Sequence, residues 1–521
     1  MRQTPPMIRV YNTLTKSKEP LETVQPGQVG IYLCGPTVYK PSHIGHMVGP
    51  VIFDTIKRYL VYSGYEVTLV VNVTDVDDKL IAESNARGMP MADLAAQMTA
   101  DYMQNIAALG VDSIDHFPRC TENIDEIINF IVALVKKGFA YRSDGDVYFE
   151  VSKDPDYGKL SHRGLEAMQG EGGGMAERKR SSADFALWKS AKPGEPAWDS
   201  PWGQGRPGWH IECSAMSRRL LGRTFDIHGG GLDLVFPHHE NEIAQSECCH
   251  GQPMARYWMH NGLMQASDEV GKLGGRHTHA GAGDILAQQA GKISKSKGSA
   301  PFRELLDEFA PETIRFFLLA THYRRPIDYG PQRLQEVGTA LETFYRFFKR
   351  YRRVAGGSFY EIAPPPRRAA GDFQPGDDPL LADVAERRQR FLEAMDDDFN
   401  TGGAIGDLFE LVRRLNKFID DEKLETPANQ SPARLDSLRR GTATLRELAA
   451  TLGLFRAPPP DRRPAGQSAL VGRLVELFIA IRAEARKRKD FTTADRIRNG
   501  LAELGIMLED RPGGTEWRIG Q

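Results

Sequence analysis

The 521-residue chain has few cysteines, no long apolar run and almost no net charge, and each shortage narrows what it can be. Its five cysteines, Cys34, Cys120, Cys213, Cys248 and Cys249, are odd in number and none is spaced as CxxC. That excludes a disulfide framework and a zinc finger built from one short segment. A metal held by this chain must therefore draw its ligands from distant segments. No stretch of about 18 apolar residues is present, which excludes a membrane-spanning helix. The opening MRQTPPMIRV lacks the apolar core of a secretory signal, so a cytoplasmic location is the default expectation. The formal net charge of −2 gives no global attraction to nucleic acid, and any such contact must be a local patch.

The length predicts several domains. QVGIYLCG (28–35) reads as a buried strand, followed by a loop and a helix over 51–64. EVTLVVNVTDVDDK then reads as strand and turn, and a long helical stretch follows to about residue 138. Strand, loop, helix, strand is the grammar of a doubly wound parallel sheet, an α/β fold with its site at the carboxyl ends of the strands. Residues 139–205 lose that regularity and read as an insertion between two halves of the sheet. The pattern returns in the second half, 206–325, and from about residue 301 the signal is helical. Pro/Gly-rich stretches interrupt it at 355–379 and 455–468. The expected division is a core of 1–138 and 206–325, an insertion at 139–205, a helical bundle at 326–458 and a small C-terminal domain at 466–521.

Three segments carry chemistry. In FPHHENEIAQSE (236–247), His238 and Glu242 are four apart and share one face of a helix that Pro237 is suited to start. His239 is three from Glu242, so spacing alone leaves it open as well. In PTVYKPSHIGHMVG (36–49), His43 and His46 lie between the first strand and its helix. Backbone N–H groups and the helix dipole favour phosphate there. In GKISKSKGSA (291–300), Lys292, Lys295 and Lys297 form a cationic, Ser/Gly-rich loop suited to phosphates. Two basic helical stretches, YRFFKRYRRV (345–354) and RAEARKRKDFTTADRIR (482–498), fit either phosphate and base contacts or amphipathic helices with solvated faces.

An HIGH sequence followed far downstream by KISKS is the paired signature of class I aminoacyl-tRNA synthetases. The segments YLCGPTVY, NVTDVDDK, GRPGWHIECSAM, FDIHGGGLDLVFPHHENEIAQSE, MDDDFNT and ADRIRNGLAELGIMLED resemble one family in detail, the cysteinyl-tRNA synthetases, over nearly the whole chain. The resemblance implies a Rossmann-like class I catalytic core with a connective insertion, a helical tRNA-binding bundle and a small anticodon-recognition domain. It implies one zinc ion held by Cys34, Cys213, His238 and Glu242 at the base of the amino-acid pocket, with Thr74 and Trp209 around the bound cysteine. It places adenosine against HGGGLD, with Asp233 as a contact. His43, His46, Lys292 and Lys295 would stabilise phosphoryl charge, with ATP and Mg²⁺ as substrate. The partners implied are L-cysteine, ATP and tRNA(Cys), and the expected state is a monomer. Cys120, Cys248 and Cys249 have no role in this reading.

Zinc suits the task because it is borderline-soft and binds thiolates well. Serine differs from cysteine by one atom, and pocket shape alone discriminates weakly. No segment resembles an editing domain. The chain also departs from the family. The interval Leu263–Gly291 is longer than usual and reads as a surface insertion, with His277 and His279 solvent-exposed. Ile293 stands where Met is usual. Gly402-Gly403 replaces Pro-Glu after MDDDFNT, which predicts a shifted helix start beyond Thr401. Two rivals share parts of the pattern. A ligase joining cysteine to an amino sugar would not need the long helical region and tail. A non-catalytic RNA-binding relative would not need intact HIGH, KISKS and zinc-ligand positions.

Overall fold

The computed structural model describes residues 7–163, 176–266, 300–459, 467–511 and 514–519. Lys292, Lys295, Lys297, His277, His279 and positions 267–291 of the expected insertion lie outside these described residues.

The chain opens with an antiparallel hairpin, β1 (Arg9–Asn12) and β2 (Ser17–Pro20), and then enters the central sheet at β3 (Gln28–Leu33). Helix α1 (Gly45–Tyr62) follows, and β4 (Glu66–Val71) returns parallel to β3. Helices α2 (Asp78–Arg87), α3 (Met91–Ala108) and α4 (Ile124–Lys136) occupy the expected long helical stretch as three separate pieces. Gly88 ends α2 in the left-handed conformation, φ 61°, and Pro90 precedes α3.

Residues 140–207 then form an antiparallel sheet of their own, β5 (Ala140–Ser143), β6 (Asp146–Phe149), β7 (Phe185–Ser190) and β8 (Gly205–Pro207), in sequential order. Lys189 of β7 and Arg206 of β8 both pair with Asp78 in the first turn of α2, which ties this sheet to the core. Helix α5 (Trp209–Leu221), β9 (Phe225–Gly231), helix α6 (Glu240–His250) and β10 (Ala255–Asn261) complete the core. The sheet order is β10-β9-β3-β4, all parallel. Ile31, Tyr32, Leu33, Val70, Val71 and Ile227 are buried, as a sheet covered on both faces requires.

The first residues of the expected surface insertion lie inside the fold. Leu263 and Met264 are buried, and β11 (Met264–Ala266) pairs parallel with β12 (Ile327–Tyr329). Helices α7 (Phe302–Glu308) and α8 (Pro311–Leu319) lie between these two strands in the chain. The helical part comprises α9 (Pro331–Ala355), α10 (Pro379–Asp396), α11 (Thr401–Asp421) and α12 (Pro432–Thr451). Helix α11 starts at Thr401 itself, where Asn400 Oδ1 accepts from Gly403 N at 3.1 Å, so the expected shift beyond Thr401 does not occur. The core of these helices is continuous with that of the sheet through α1 and α8. The tail, α13 (Gln467–Lys487), α14 (Phe491–Glu503) and the hairpin β13 (Ile506–Arg511) and β14 (Gly514–Ile519), has a separate small core around Val475, Leu501, Ile506 and Leu508.

Candidate active site

At the carboxyl ends of β3, β9 and β10 lies a cleft of about 580 Å³, lined among others by Cys34, His43, His46, Trp209, Asp233 and Asn261. This is where a parallel sheet presents loop backbone and unpaired strand ends, and so where a ligand is expected. The HIGH segment is the entry to α1. Ile44 precedes the helix, and His46 sits in its first turn, at the positive end of the helix dipole. The rings of His43 and His46 stack with centroids 3.9 Å apart, and His43 Nδ1 accepts from Gly45 N at 3.1 Å. A Cβ at position 45 would stand 2.8 Å from the His43 ring, so only glycine lets the two imidazoles lie together at this helix end.

Below the cleft, four side chains from three segments converge. Cys34 follows β3, Cys213 lies on α5, and His238 and Glu242 are four apart where the chain enters α6. Phe236 is extended (φ −141°, ψ 133°) and the backbone is helical from Pro237, which gives the expected His238–Glu242 face. Their ligand atoms all lie within 4.8 Å of one another. Cys34 Sγ is 3.6 Å from Cys213 Sγ and 3.4 Å from Glu242 Oε1. His238 Nε2 is 3.6 Å from Cys213 Sγ and 3.1 Å from Glu242 Oε1. Tetrahedral donors at zinc bond lengths stand about 3.8 Å apart for two sulfurs, about 3.5 Å for sulfur with nitrogen or oxygen, and about 3.3 Å for nitrogen with oxygen. The observed edges follow that pattern.

A second set, Cys34, His228, His239 and Glu242, also meets within 4.8 Å. Here His228 Nε2 meets the other carboxylate oxygen, Glu242 Oε2, at 2.8 Å. His239 Nε2 is 3.3 Å from Cys34 Sγ but 4.0 Å from Glu242 Oε1, and its Nδ1 is engaged by His260 Nε2 at 2.8 Å. Without a cation, burial above all pushes the Cys34 thiol well up and the Cys213 thiol up to about 11, and Glu242 adds to both. Burial likewise pushes the imidazoles of His238 and His239 down. Neutral imidazoles beside crowded acidic groups are a donor set that a divalent cation stabilises.

Residues 20–273 match the model of tRNA synthetases class I (C) catalytic domain, 390–456 the DALR domain, and 475–518 the cysteinyl-tRNA ligase anticodon binding domain. The chain is 44% identical over 520 residues to a cysteine–tRNA ligase of Geobacter metallireducens, covering 98% of this chain and 99% of that protein. It is 43% identical over 513 residues to one of Thermococcus onnurineus, with the same coverage. This chain belongs to the cysteine–tRNA ligase family. Among solved structures, Mycobacterium tuberculosis methionyl-tRNA synthetase in complex with methionyl-adenylate aligns with a TM-score of 0.56 at 16% identity, over 82% of this chain and 90% of that one. That likeness shows the fold that cysteine–tRNA ligases share with other class I synthetases.

For a cysteine–tRNA ligase the remaining placements are informative. Trp209 is 38% exposed in the cleft wall, and its ring stacks on His238 with centroids 4.2 Å apart. Thr74 is buried behind the wall, where its hydroxyl donates to Glu212 Oε2 at 2.9 Å. Asp233 lines the cleft beside the glycine run of β9. A Cβ on Gly230 would stand 2.6 Å from the His239 ring, so the run lets strand and histidine pack together. Sequence reasoning missed the outer imidazoles. His210 Nδ1 faces His238 Nδ1 at 2.9 Å, and His260 Nδ1 meets Thr13 Oγ1 at 2.8 Å. Nothing in their local spacing marks them, because they lie on separate elements. Aromatic residues Phe347, Phe348 and Tyr351 of the first basic stretch are buried core. Its Arg350 pairs with Glu425 at 3.2 Å and with Asp420, and Arg353 reaches Glu425 at 3.5 Å. In the second basic stretch Arg482 is clamped by both oxygens of Asp510, at 2.6 and 2.7 Å. The amphipathic-helix reading therefore describes these residues.

Proposed function

We propose that this chain joins L-cysteine to tRNA(Cys) through a cysteinyl-adenylate, with cysteine selected at a zinc site formed by Cys34, Cys213, His238 and Glu242. The observation that carries the reading is the tetrahedral spacing of these four donors directly beneath the cleft. The first donor set is favoured over the second because His238 Nε2 and Cys34 Sγ converge on the same oxygen, Glu242 Oε1. His228 engages Oε2 and so supports the ligand from behind. When bound, zinc supplies a soft Lewis acid for which the substrate thiolate is a far better partner than a serine hydroxyl.

The residues of the chain do the rest by position and charge. Trp209, stacked on His238, closes the side of the pocket that receives the amino acid, and Glu212 orients Thr74. The nucleotide lies against the Gly229–Gly231 run, with Asp233 accepting from its hydroxyls. The cysteine carboxylate attacks the α-phosphorus, which releases pyrophosphate. His43 and His46, at the positive end of the α1 dipole, donate to the phosphoryl oxygens as charge builds, and Mg²⁺ neutralises the phosphates. Lys292 and Lys295 complete the phosphate contacts in this reading. The 2′-hydroxyl of the terminal adenosine then attacks the acyl carbon and AMP leaves. Neither step uses a covalent enzyme nucleophile. The bundle and the tail hold tRNA, with the tail at the anticodon. Among the described residues no helix is long and apolar enough to cross a membrane, and we infer a cytoplasmic monomer.

Cysteine-dependent ATP–pyrophosphate exchange, followed by tRNA charging, tests the two steps separately. A chain that exchanges with methionine or serine as readily as with cysteine would overturn the reading. Two further outcomes are expected. Trp209→Ala should raise the KM for cysteine about fivefold, in keeping with the roughly 1 kcal/mol of a stacked ring pair, and leave bound zinc unchanged on metal analysis. A chain ending at residue 459 should keep pyrophosphate exchange near the wild-type rate, because the tail has its own core. Its charging of tRNA should fall at least about tenfold through KM for tRNA, as lost phosphate contacts predict.

A further inference from the structure

A single carboxylate in the helical part holds one wall of the cleft. Asp398 lies in the short link between α10 and α11 and is fully buried. Asp398 and the buried Phe399 both take the left-handed conformation, with φ 66° and 51°. That conformation is unfavourable for residues other than glycine, most of all for a bulky one, and it persists only where surrounding contacts impose it.

Two segments outside the bundle share the Asp398 carboxylate. From the first hairpin, Tyr11 N donates to Oδ1 at 2.8 Å, and Asp398 N donates to Arg9 O at 2.9 Å. From the turn after α8, the Tyr323 hydroxyl donates to Oδ1 at 2.8 Å and Arg324 Nε to Oδ2 at 2.7 Å, with His322 Nε2 3.5 Å from Oδ2. The Arg324 guanidinium also lies over the Tyr11 ring, 4.3 Å from its centroid, and so joins the two segments. Both then reach β10 or its end. Next to Tyr11, Asn12 Oδ1 accepts from Trp258 N at 3.1 Å, and Thr13 N donates to Trp258 O at 2.8 Å. In the turn, Tyr323 O accepts from Gly262 N at 2.7 Å, and Ile327 N donates to Leu263 O at 3.0 Å. A Cβ on Gly262 would stand 2.1 Å from Arg325 O, so this contact runs backbone against backbone. Gly262, Leu263 and Met264 line the cleft, and a Cβ on Gly231 would stand 3.6 Å from Leu263 Cδ2. The wall held by the turn therefore faces the glycine run of β9, and none of the four proposed zinc donors lies on it.

We propose that Asp398 is a positioning residue for the nucleotide, setting the spacing between Leu263 and the Gly229–Gly231 run where ATP is received. The proposal rests on the nucleotide placement given above. A carboxylate has two acceptor oxygens and serves Tyr11, Tyr323 and Arg324 together. An amide has one acceptor oxygen and turns a donor toward one of them. Once the turn is loosened, Gly262 and Leu263 are no longer held against the slot, while the donor set beneath the cleft keeps its own contacts. The helical part thus acts on adenylate formation without touching a substrate.

The test uses Asp398→Asn and Arg324→Ala in the full-length chain, assayed by cysteine-dependent pyrophosphate exchange with ATP and cysteine varied in turn, beside zinc analysis. Asp398→Asn is expected to raise KM for ATP about tenfold, the scale of one lost charge-assisted hydrogen bond, with KM for cysteine and bound zinc unchanged. Its melting temperature should fall only modestly, because the Arg324 side chain is 33% exposed and can turn its charge to water. Arg324→Ala removes one donor from that half-exposed position and should raise KM for ATP about threefold, as a partly exposed ion pair predicts. If Asp398→Asn does not fold, Arg324→Ala decides the question. A lower melting temperature with both KM values unchanged, or a KM for cysteine that rises as much as that for ATP, would overturn the positioning role and leave cysteine activation standing. A wild-type chain without cysteine-dependent exchange would overturn the proposed function and, with it, this role.

Discussion

Cys213→Ser is expected to strip most of the zinc from the protein and to lower kcat/KM for cysteine activation by about 10³-fold or more. Serine matches cysteine in size, so the metal-free variant should keep the fold and melting temperature of the metal-free wild type. What it lacks is a donor that ionises at neutral pH and suits a borderline-soft cation. Cys213 is one vertex of the donor set, 3.6 Å from both Cys34 Sγ and His238 Nε2, so its loss leaves the cation with three protein donors. Selectivity should collapse together with activity. Shape alone distinguishes side chains of similar volume by about 10–200-fold. The wild type should exceed that ratio for cysteine over serine by at least about tenfold, and the variant should fall within it. Zinc analysis beside pyrophosphate exchange with both amino acids measures each part. Equal zinc in variant and wild type would remove Cys213 from the ligand set. Because both thiols must lose protons to bind, zinc affinity of the wild type should fall as pH drops.

The elements of this site that local periodicity governs were legible in the sequence, and those that tertiary contacts govern were not. The apolar run of β3 and the strand-to-helix passage through His43 and His46 follow from short-range patterning. The shared face of His238 and Glu242 follows from the helical repeat, and the structure preserves it at 3.1 Å. Cys34 and Cys213 are 179 positions apart, and no spacing rule joins them; in the sequence only the family resemblance does. The same limit explains the silence over His210, His228 and His260, each on a different element. It also explains the basic helices. Arg350 and Arg482 look available for phosphate in the sequence, but Asp420, Glu425 and Asp510 reach them only after the chain has folded. At Thr401 the Gly-Gly pair suggested a displaced helix start. Asn400 caps the helix there regardless, and burial of Thr401, Ala404, Ile405 and Leu408 adds the packing that, with the cap, offsets the weak helix propensity of two glycines in the first turn.

Asp54→Asn should be the most damaging substitution away from the cleft, because it breaks a buried ion pair from one side only. Asp54 is fully buried on α1, and its Oδ2 takes Arg315 Nη2 of α8 at 2.6 Å and Arg58 Nε at 2.8 Å. Arg315 is itself buried and spends its other donors on Leu452 O, Leu109 O and Thr55 Oγ1. Asparagine would leave that guanidinium in the core with neutral acceptors only. Losing one partner of a buried pair costs roughly 3–5 kcal/mol, seen here as a lower apparent melting temperature. The pair also reaches the chemistry. Helix α1 carries His43 and His46 at its N-terminus, and Asp54 is where α8 grips it. A loosened helix should therefore lower kcat for pyrophosphate exchange more than it raises KM for cysteine, since transition-state donors tolerate little displacement. The pH dependence follows from the sign of the shift. Burial pushes the Asp54 carboxyl up, but Arg315 and Arg58 together hold it below the ordinary value. Its contribution is thus complete above the unfolded value of about 3.9 and is lost as pH falls through the lower folded value. Acid unfolding of the wild type should steepen in that window, and the asparagine variant, with nothing to protonate at this position, should lack that part of the slope. A variant as stable as wild type near neutral pH would mean that the carbonyl groups around Arg315 suffice to hold its charge.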